Sequence, residues 1–178
     1  MVVRLARETD AAAIAAIYRR YVEDSRISFE ESAPGVDEIA RRIAGERPGY
    51  HPWYVAKEGE VLLGYAASSP FRTRPAYRWT VETGIYLAED ATGRGVGRAL
   101  LSTLLETLER QGYVAAIGAI ALPNDASVAL HEKLGFTYAG TYRGVGFKLG
   151  EWLDVGLWEK ELAPRNAAPI EPQPFKAV

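Results

Sequence analysis

The chain has 178 residues, 48% of them hydrophobic and 25% charged, which fits one compact, water-soluble domain with a substantial core and leaves room for a tail. A net charge of −2 argues against a nucleic-acid partner, and the absence of cysteine excludes a disulfide scaffold, a thiol nucleophile and cysteine-ligated metal. With only His51 and His131 no metal site is expected, and neither a bilayer-length apolar run nor a signal-peptide core is visible, so the expectation is a cytoplasmic protein without a membrane partner.

Val2 to Arg7 alternates well enough for a short strand. Thr9 and Asp10 offer an N-cap to a helix whose face carries Ile14, Ile17, Tyr18 and Tyr21. Ser25 to Gly35 is a loop bearing Phe29, and Asp37 to Glu46 a short helix that stops at Pro48-Gly49. Trp53–Glu58 and Val61–Ser68 form a hairpin around Glu58-Gly59. After an arginine-bearing loop, Pro70 to Arg78, comes a strand, Trp79–Leu87. It sets Trp79, Val81, Thr83, Ile85 and Leu87 on one face and Thr80, Glu82, Gly84 and Tyr86 on the other.

The helix that follows has a wide apolar stripe (Val96, Leu100, Leu101, Leu104, Leu105, Leu108) and ends at Gly112. Tyr113–Ala121 is continuously apolar, as a strand covered on both faces should be. Pro123-Asn124-Asp125 opens a helix through Leu134, and Phe136–Lys148 and Trp152–Glu161 pair around Gly150. The predicted architecture is a mixed α/β domain over residues 1–162 around one central sheet, followed by a Pro-rich tail, 163–178, read as mobile.

The turn Thr92-Gly93-Arg94-Gly95-Val96-Gly97-Arg98 joins the best strand to the best helix. Glycines at alternate positions let backbone N–H groups converge, the helix N-terminus adds partial positive charge, and Arg94 and Arg98 raise the local potential. That construction suits a phosphate or pyrophosphate; a tight turn with no ligand is the plainer alternative. A nucleotide P-loop fails for want of Gly-Lys-Ser/Thr, and a Rossmann fingerprint fails because Leu100 stands where a third small residue belongs.

Gly95-Val96-Gly97 after an antiparallel strand, followed by Asn124, Ser127, His131 and Gly135-Phe136, resembles the GCN5-related N-acetyltransferase (GNAT) superfamily, from which the turn departs at its first position, Thr92. Three further stretches, Arg72 to Glu82, Leu122 to Ser127 and Gly146 to Gly156, are similar to the phosphinothricin and methionine sulfoximine acetyltransferases within it. The resemblance covers about Val3 to Leu162. It implies a mostly antiparallel sheet with one splayed parallel pair, acetyl-CoA as co-substrate, no metal, and a homodimer.

The resemblance further implies that Gly93, Arg94, Gly95, Val96, Gly97 and Arg98 hold the pyrophosphate, that backbone groups of Ile85, Tyr86 and Leu87 pair with the pantetheine, and that Asn124 bonds the cofactor; N-capping is the alternative for Asn124. Glu82 is implied as general base, against a structural carboxylate paired with an arginine. His131 is implied as proton donor to the leaving thiolate, against simple packing. Arg72, Arg74 and Tyr77 are expected to bind an anionic acceptor, guanidinium forks suiting carboxylate or phosphinate, against a solvated loop. Phe29 suits an apolar wall of the acceptor pocket or core packing, and Trp53, Trp79, Trp152 and Trp158 core or interface positions. The function expected is N-acetylation of a small amino acid-like amine; the alternatives are acetylation of peptide N-termini or other amines, and a non-catalytic acyl-CoA sensor.

Overall fold

The computed structural model describes residues 1–165 and 168–175. Seven strands form one sheet in the order β1-β2-β3-β4-β5-β7-β6: β1 (Val2–Leu5), β2 (Trp53–Glu58), β3 (Val61–Pro70), β4 (Thr80–Leu87), β5 (Ala115–Leu122), β6 (Thr137–Lys148) and β7 (Glu151–Glu161). All neighbours are antiparallel except β4 and β5. Helices α1 (Ala11–Glu23) and α2 (Val36–Ala44) share one core with Val55, Leu62 and Tyr65; α3 (Val96–Gln111) and α4 (Asp125–Lys133) belong to the other, with Tyr54, Val81, Ala116 and Trp158. The expected mixed sheet with flanking helices is the fold observed. Among the described residues no helix is long and apolar enough to cross a membrane.

The period of α3 explains its place. Val96, Leu100, Leu101, Leu104, Leu105 and Leu108 recur on one face, and all are buried against the sheet. Gly112, at φ +90°, closes the helix in the left-handed conformation that glycine adopts without strain. The start of α1 differs from the sequence reading. Asp10 does not cap the helix with its side chain; its carboxylate takes two bonds from the Arg4 guanidinium, each 2.7 Å, and one from the Arg7 N–H at 2.8 Å. A bidentate ion pair outcompetes a single capping bond.

The parallel pairing of β4 with β5 runs from Thr80↔Ala115 to Thr83↔Gly118 and stops. Beyond it β4 stays with β3 as far as Gly64↔Leu87, and β5 stays with β7 as far as Leu122↔Asp154. The two strands therefore part after Thr83 and Gly118.

The segment after Leu162, read from composition as a mobile tail, makes specific contacts over its second half. Glu171 forms an ion pair with Arg78 at 2.6 Å, the carbonyl of Ile170 accepts from Trp79 Nε1 at 3.0 Å, and the Gln173 and Phe175 N–H groups donate to the carbonyls of Gln111 and Gly49. Backbone and side-chain bonds of this kind cannot be read from proline content. The parts of that expectation falling on residues 166–167 and 176–178 lie outside the described residues.

Candidate active site

The parting of β4 and β5 opens a cleft of about 310 Å³, walled by Thr83 to Leu87 on one side and by Ala119 to Ala121 on the other, with Asn124, Ser127 and His131 of the α4 segment at its edge. Tyr65↔Tyr86 and the bond from the Ala88 N–H to the Leu63 carbonyl (2.9 Å) put the peptide groups of Tyr86 and Ala88 on the β3 side. Backbone groups alternate along a strand. Those of Ile85 and Leu87 therefore face the cleft, and of the three positions expected to pair with a ligand, Tyr86 does not.

Leu87 shows what such groups require. Its N–H donates to the hydroxyl of Tyr21 at 3.2 Å, and its carbonyl accepts from the same hydroxyl at 2.7 Å. Tyr21 is a site residue that sequence reasoning missed, having placed it only on the apolar face of α1.

The glycine turn lies at the end of β4. Gly93 and Gly95 have φ of +73° and +80°, which disfavours any side chain, and a Cβ on either would meet nothing within 4 Å. Gly95 precedes α3 without a side-chain cap, so the first N–H groups of the helix have no partner within it and their partial charge is available to an anion. Gly97 acts differently: a Cβ there would lie 3.2 Å from Leu130 of α4, tighter than an ordinary contact, and at ordinary distance from Leu87, so its bareness eases the packing of the first turn of α3 on α4. The Val96 side chain belongs to the core. Arg94 is drawn to Glu58 at 2.8 Å, Arg98 is exposed, and the Thr92 hydroxyl donates to the Glu89 carbonyl.

Glu82 lines a second cavity, of about 260 Å³, with Phe29, Phe71, Arg72 and Tyr142. Ala119 lines both spaces, so the two adjoin. Burial raises the Glu82 pKa, and the positive charge of Arg72 pulls it partly back. Among the described residues no ion pair or hydrogen bond to the Glu82 carboxylate is formed. Arg72 bonds the Tyr142 hydroxyl at 3.2 Å. Phe29, Arg72 and Glu82 are thus brought together. Arg74 and Tyr77 are not: Arg74 precedes the short turn Pro75–Tyr77 and Tyr77 ends it, and both are exposed and do not line this cavity.

His131 reaches the cleft from the other face of the sheet. Its Nδ1 lies 2.8 Å from the Ser127 carbonyl, and because a carbonyl only accepts, Nδ1 carries the proton. Nε2 is buried without a partner. A Cβ on Gly118 would stand 2.7 Å from that nitrogen, so the glycine makes room for the ring. Burial lowers the pKa of His131, and the neutral ring presents a lone pair at Nε2. A donor role there needs a second proton. Asn124 Oδ1 accepts from the Ser127 N–H at 3.2 Å, the capping alternative, while the residue also borders the cleft.

The family described as Acetyltransferase (GNAT) domain matches residues 3–157. The chain belongs to this family. Among GNAT relatives, the phosphinothricin N-acetyltransferase of Streptomyces viridochromogenes is 37% identical over 99% of this chain and 93% of its own length. The L-methionine sulfoximine/L-methionine sulfone acetyltransferase of Salmonella typhimurium is 35% identical over 95% of this chain and 98% of its own. The crystal structure of a GNAT superfamily phosphinothricin acetyltransferase from Sinorhizobium meliloti in complex with AcCoA superposes with a TM-score of 0.90 at 37% identity, covering 96% of this chain and 93% of that one. Among the described residues of this GNAT chain, no group of three or more histidine, cysteine, aspartate or glutamate side chains is placed to hold a metal ion.

The turn geometry makes a first prediction. Gly95→Ala meets no steric obstacle but places an L-residue at φ +80°, so it should lower stability by about 1 kcal/mol. Urea denaturation measures this, and an unchanged midpoint would show that the turn relaxes freely.

Proposed function

We propose that the chain transfers an acetyl group from acetyl-CoA to the amino group of a small amino acid-like acceptor with a second, anionic group, of the phosphinothricin, methionine sulfoximine or methionine sulfone type. One observation carries the reading: a cleft along β4 backbone that has lost its strand partner, reaching Thr92 at the turn before a helix N-terminus without a side-chain cap, adjoins, at Ala119, a separate cavity holding a half-buried carboxylate and an arginine. The names of the relatives agree with it. Residues Gly93 to Arg98 fit a pyrophosphate through main-chain N–H groups, since Gly93 and Gly95 leave open the space a Cβ would occupy. Ile85, facing the cleft, offers an N–H suited to polarise a carbonyl oxygen. Asn124 stands at the cleft edge as a further contact. When bound, acetyl-CoA supplies the activated acetyl group and departs as the thiol.

The rest of the chemistry belongs to side chains. An amine attacks only when neutral, and at neutral pH an amino acid amine is mostly ammonium. Glu82 is the general base: its position off the ion-pair network leaves both oxygens free for the ammonium proton, and burial raises its affinity for that proton. His131 acts through Nε2 as a relay, which takes up the second proton that the attacking nitrogen loses as the amide forms and passes it to the departing sulfur. Arg72 binds the anionic end of the acceptor and Phe29 walls the cavity; Arg74 and Tyr77, outside the cavity, take no part in it. A homodimer is part of the proposal. The β6–β7 hairpin exposes Tyr142, Val145, Phe147, Leu149 and Trp152, the last 70% exposed, an apolar face suited to a second copy; sedimentation of the purified chain as a monomer at micromolar concentration would count against it.

The activity test is release of free CoA with a panel of amines, phosphinothricin against methionine first. Glu82→Gln should lower kcat/KM roughly 100-fold or more. The base works as carboxylate, and its pKa is raised, so the acid limb of kcat/KM should lie above the ordinary glutamate range of about 4.3. Removing the Arg72 cation removes an influence that lowers this pKa, so Arg72→Gln should move the limb to still higher pH. A limb that moves down in Arg72→Gln, or full activity in Glu82→Gln, overturns the assignment.

A further inference from the structure

Lys148, the last residue of β6, is buried, and no step of the proposed chemistry uses it. A buried ammonium is costly unless hydrogen bonds replace its lost water. Here its Nζ donates to the carbonyl oxygens of Val22 and Ser28, each at 2.6 Å. One belongs to the last turn of α1 and the other to the loop between α1 and α2. Ser28 is further held by the Tyr18 hydroxyl at 2.7 Å, and Tyr18 also donates to Glu30 at 2.9 Å.

Two positions earlier on the same face of β6 stands Gly146. The ring of Phe29 fills the space where its side chain would be: a Cβ on Gly146 would lie 2.1 Å from Phe29 Cε2 and 2.7 Å from Cδ2. The strand therefore meets successive loop residues in two ways, Ser28 through an ammonium and Phe29 through a missing side chain. The loop residues beside these contacts line the two working spaces. Ile27 lines the cleft between β4 and β5, and Phe29 lines the Glu82 cavity.

We propose that Gly146 and Lys148 are positioning residues that determine acceptor specificity. Together they seat the α1–α2 loop so that Phe29 stands as the wall of the Glu82 cavity. Lys148 fixes the loop backbone, and the bare Cα of Gly146 sets how far the Phe29 ring withdraws from the cavity. A side chain at 146 drives that ring toward Glu82 and shortens the space for the acceptor. The role of the wall in acceptor binding rests on the reading of this cavity given above.

Lys148→Met keeps the length of the side chain and removes its donors, and Gly146→Ala leaves the ammonium in place. Each should raise the acceptor KM at least tenfold, with kcat within about threefold and acetyl-CoA affinity within about threefold. Gly146→Ala should in addition favour smaller acceptors over larger ones. Lys148→Arg, which retains charge and donors, should recover part of the loss. Because both act through Phe29, Lys148→Met in a Phe29→Ala background should raise KM no more than about twofold beyond Phe29→Ala alone. Independently of any acceptor, hydrogen exchange should quicken across residues 25–35 in Lys148→Met and Gly146→Ala and stay unchanged across Thr92 to Arg98. Unchanged acceptor KM in both variants, multiplicative effects with Phe29→Ala, or unchanged exchange in the loop overturns the proposal. If Lys148→Met does not fold, Gly146→Ala carries the same measurements. If the wild-type chain acetylates no amine, the acceptor reading fails, and loop exchange still decides whether these two residues seat the loop.

Discussion

The site depends on two neighbouring strands giving up each other's hydrogen bonds. A buried peptide group must find a partner, and the interior of a sheet normally supplies one from the next strand. After Thr83 and Gly118 that supply ends, while β3 and β7 keep the outer edges of β4 and β5 in register. The inner edges are then held open by structure on both sides. At Leu87 the Tyr21 hydroxyl satisfies donor and acceptor together. At Ile85 no strand partner remains, and under the proposed function a pantetheine chain, which carries amides of its own, would take that place.

The same parting brings the two faces of the sheet into one site. Glu82 projects on the side of α1 and α2, and His131 sits over Gly118 on the side of α3 and α4. A closed sheet would keep them apart. Across the opening, their environments move them in opposite senses: burial makes Glu82 hold a proton more readily and makes His131 hold one less readily. Arg72 tempers the first effect, and under the proposed function its placement in the Glu82 cavity would couple binding of an anionic acceptor to the protonation state of Glu82.

Much of this was legible in the sequence because it follows from periodicity and from turn chemistry. The apolar stripe of α3, the alternation of Glu82 against Val81 and Ile85, and the β2–β3 hairpin around Glu58-Gly59 are short-range patterns, and the structure has them. The glycine turn is legible as well, and its left-handed conformation at Gly93 and Gly95 comes from the structure. What escaped the sequence depends on partners distant along the chain. Arg94 turns to Glu58 rather than to the helix N-terminus, Tyr21 reaches from α1 to Leu87, Glu171 reaches back to Arg78, and Lys148 holds carbonyls more than a hundred residues earlier. Gly118 and Gly146 look alike in sequence, yet one yields space to a histidine and the other to a phenylalanine. Neither role has a local signal.

The account stands on main-chain amides of β4 and the following turn receiving the acetyl carrier. Backbone amide shifts followed by NMR during titration with acetyl-CoA test this most directly. The largest changes should fall on Ile85, Leu87 and Gly93 to Arg98, with the paired residues Thr80 to Glu82 moving little. Saturable shifts gathered instead around the separate cavity near Arg41, Arg47 and His51, with the turn unmoved, would contradict it.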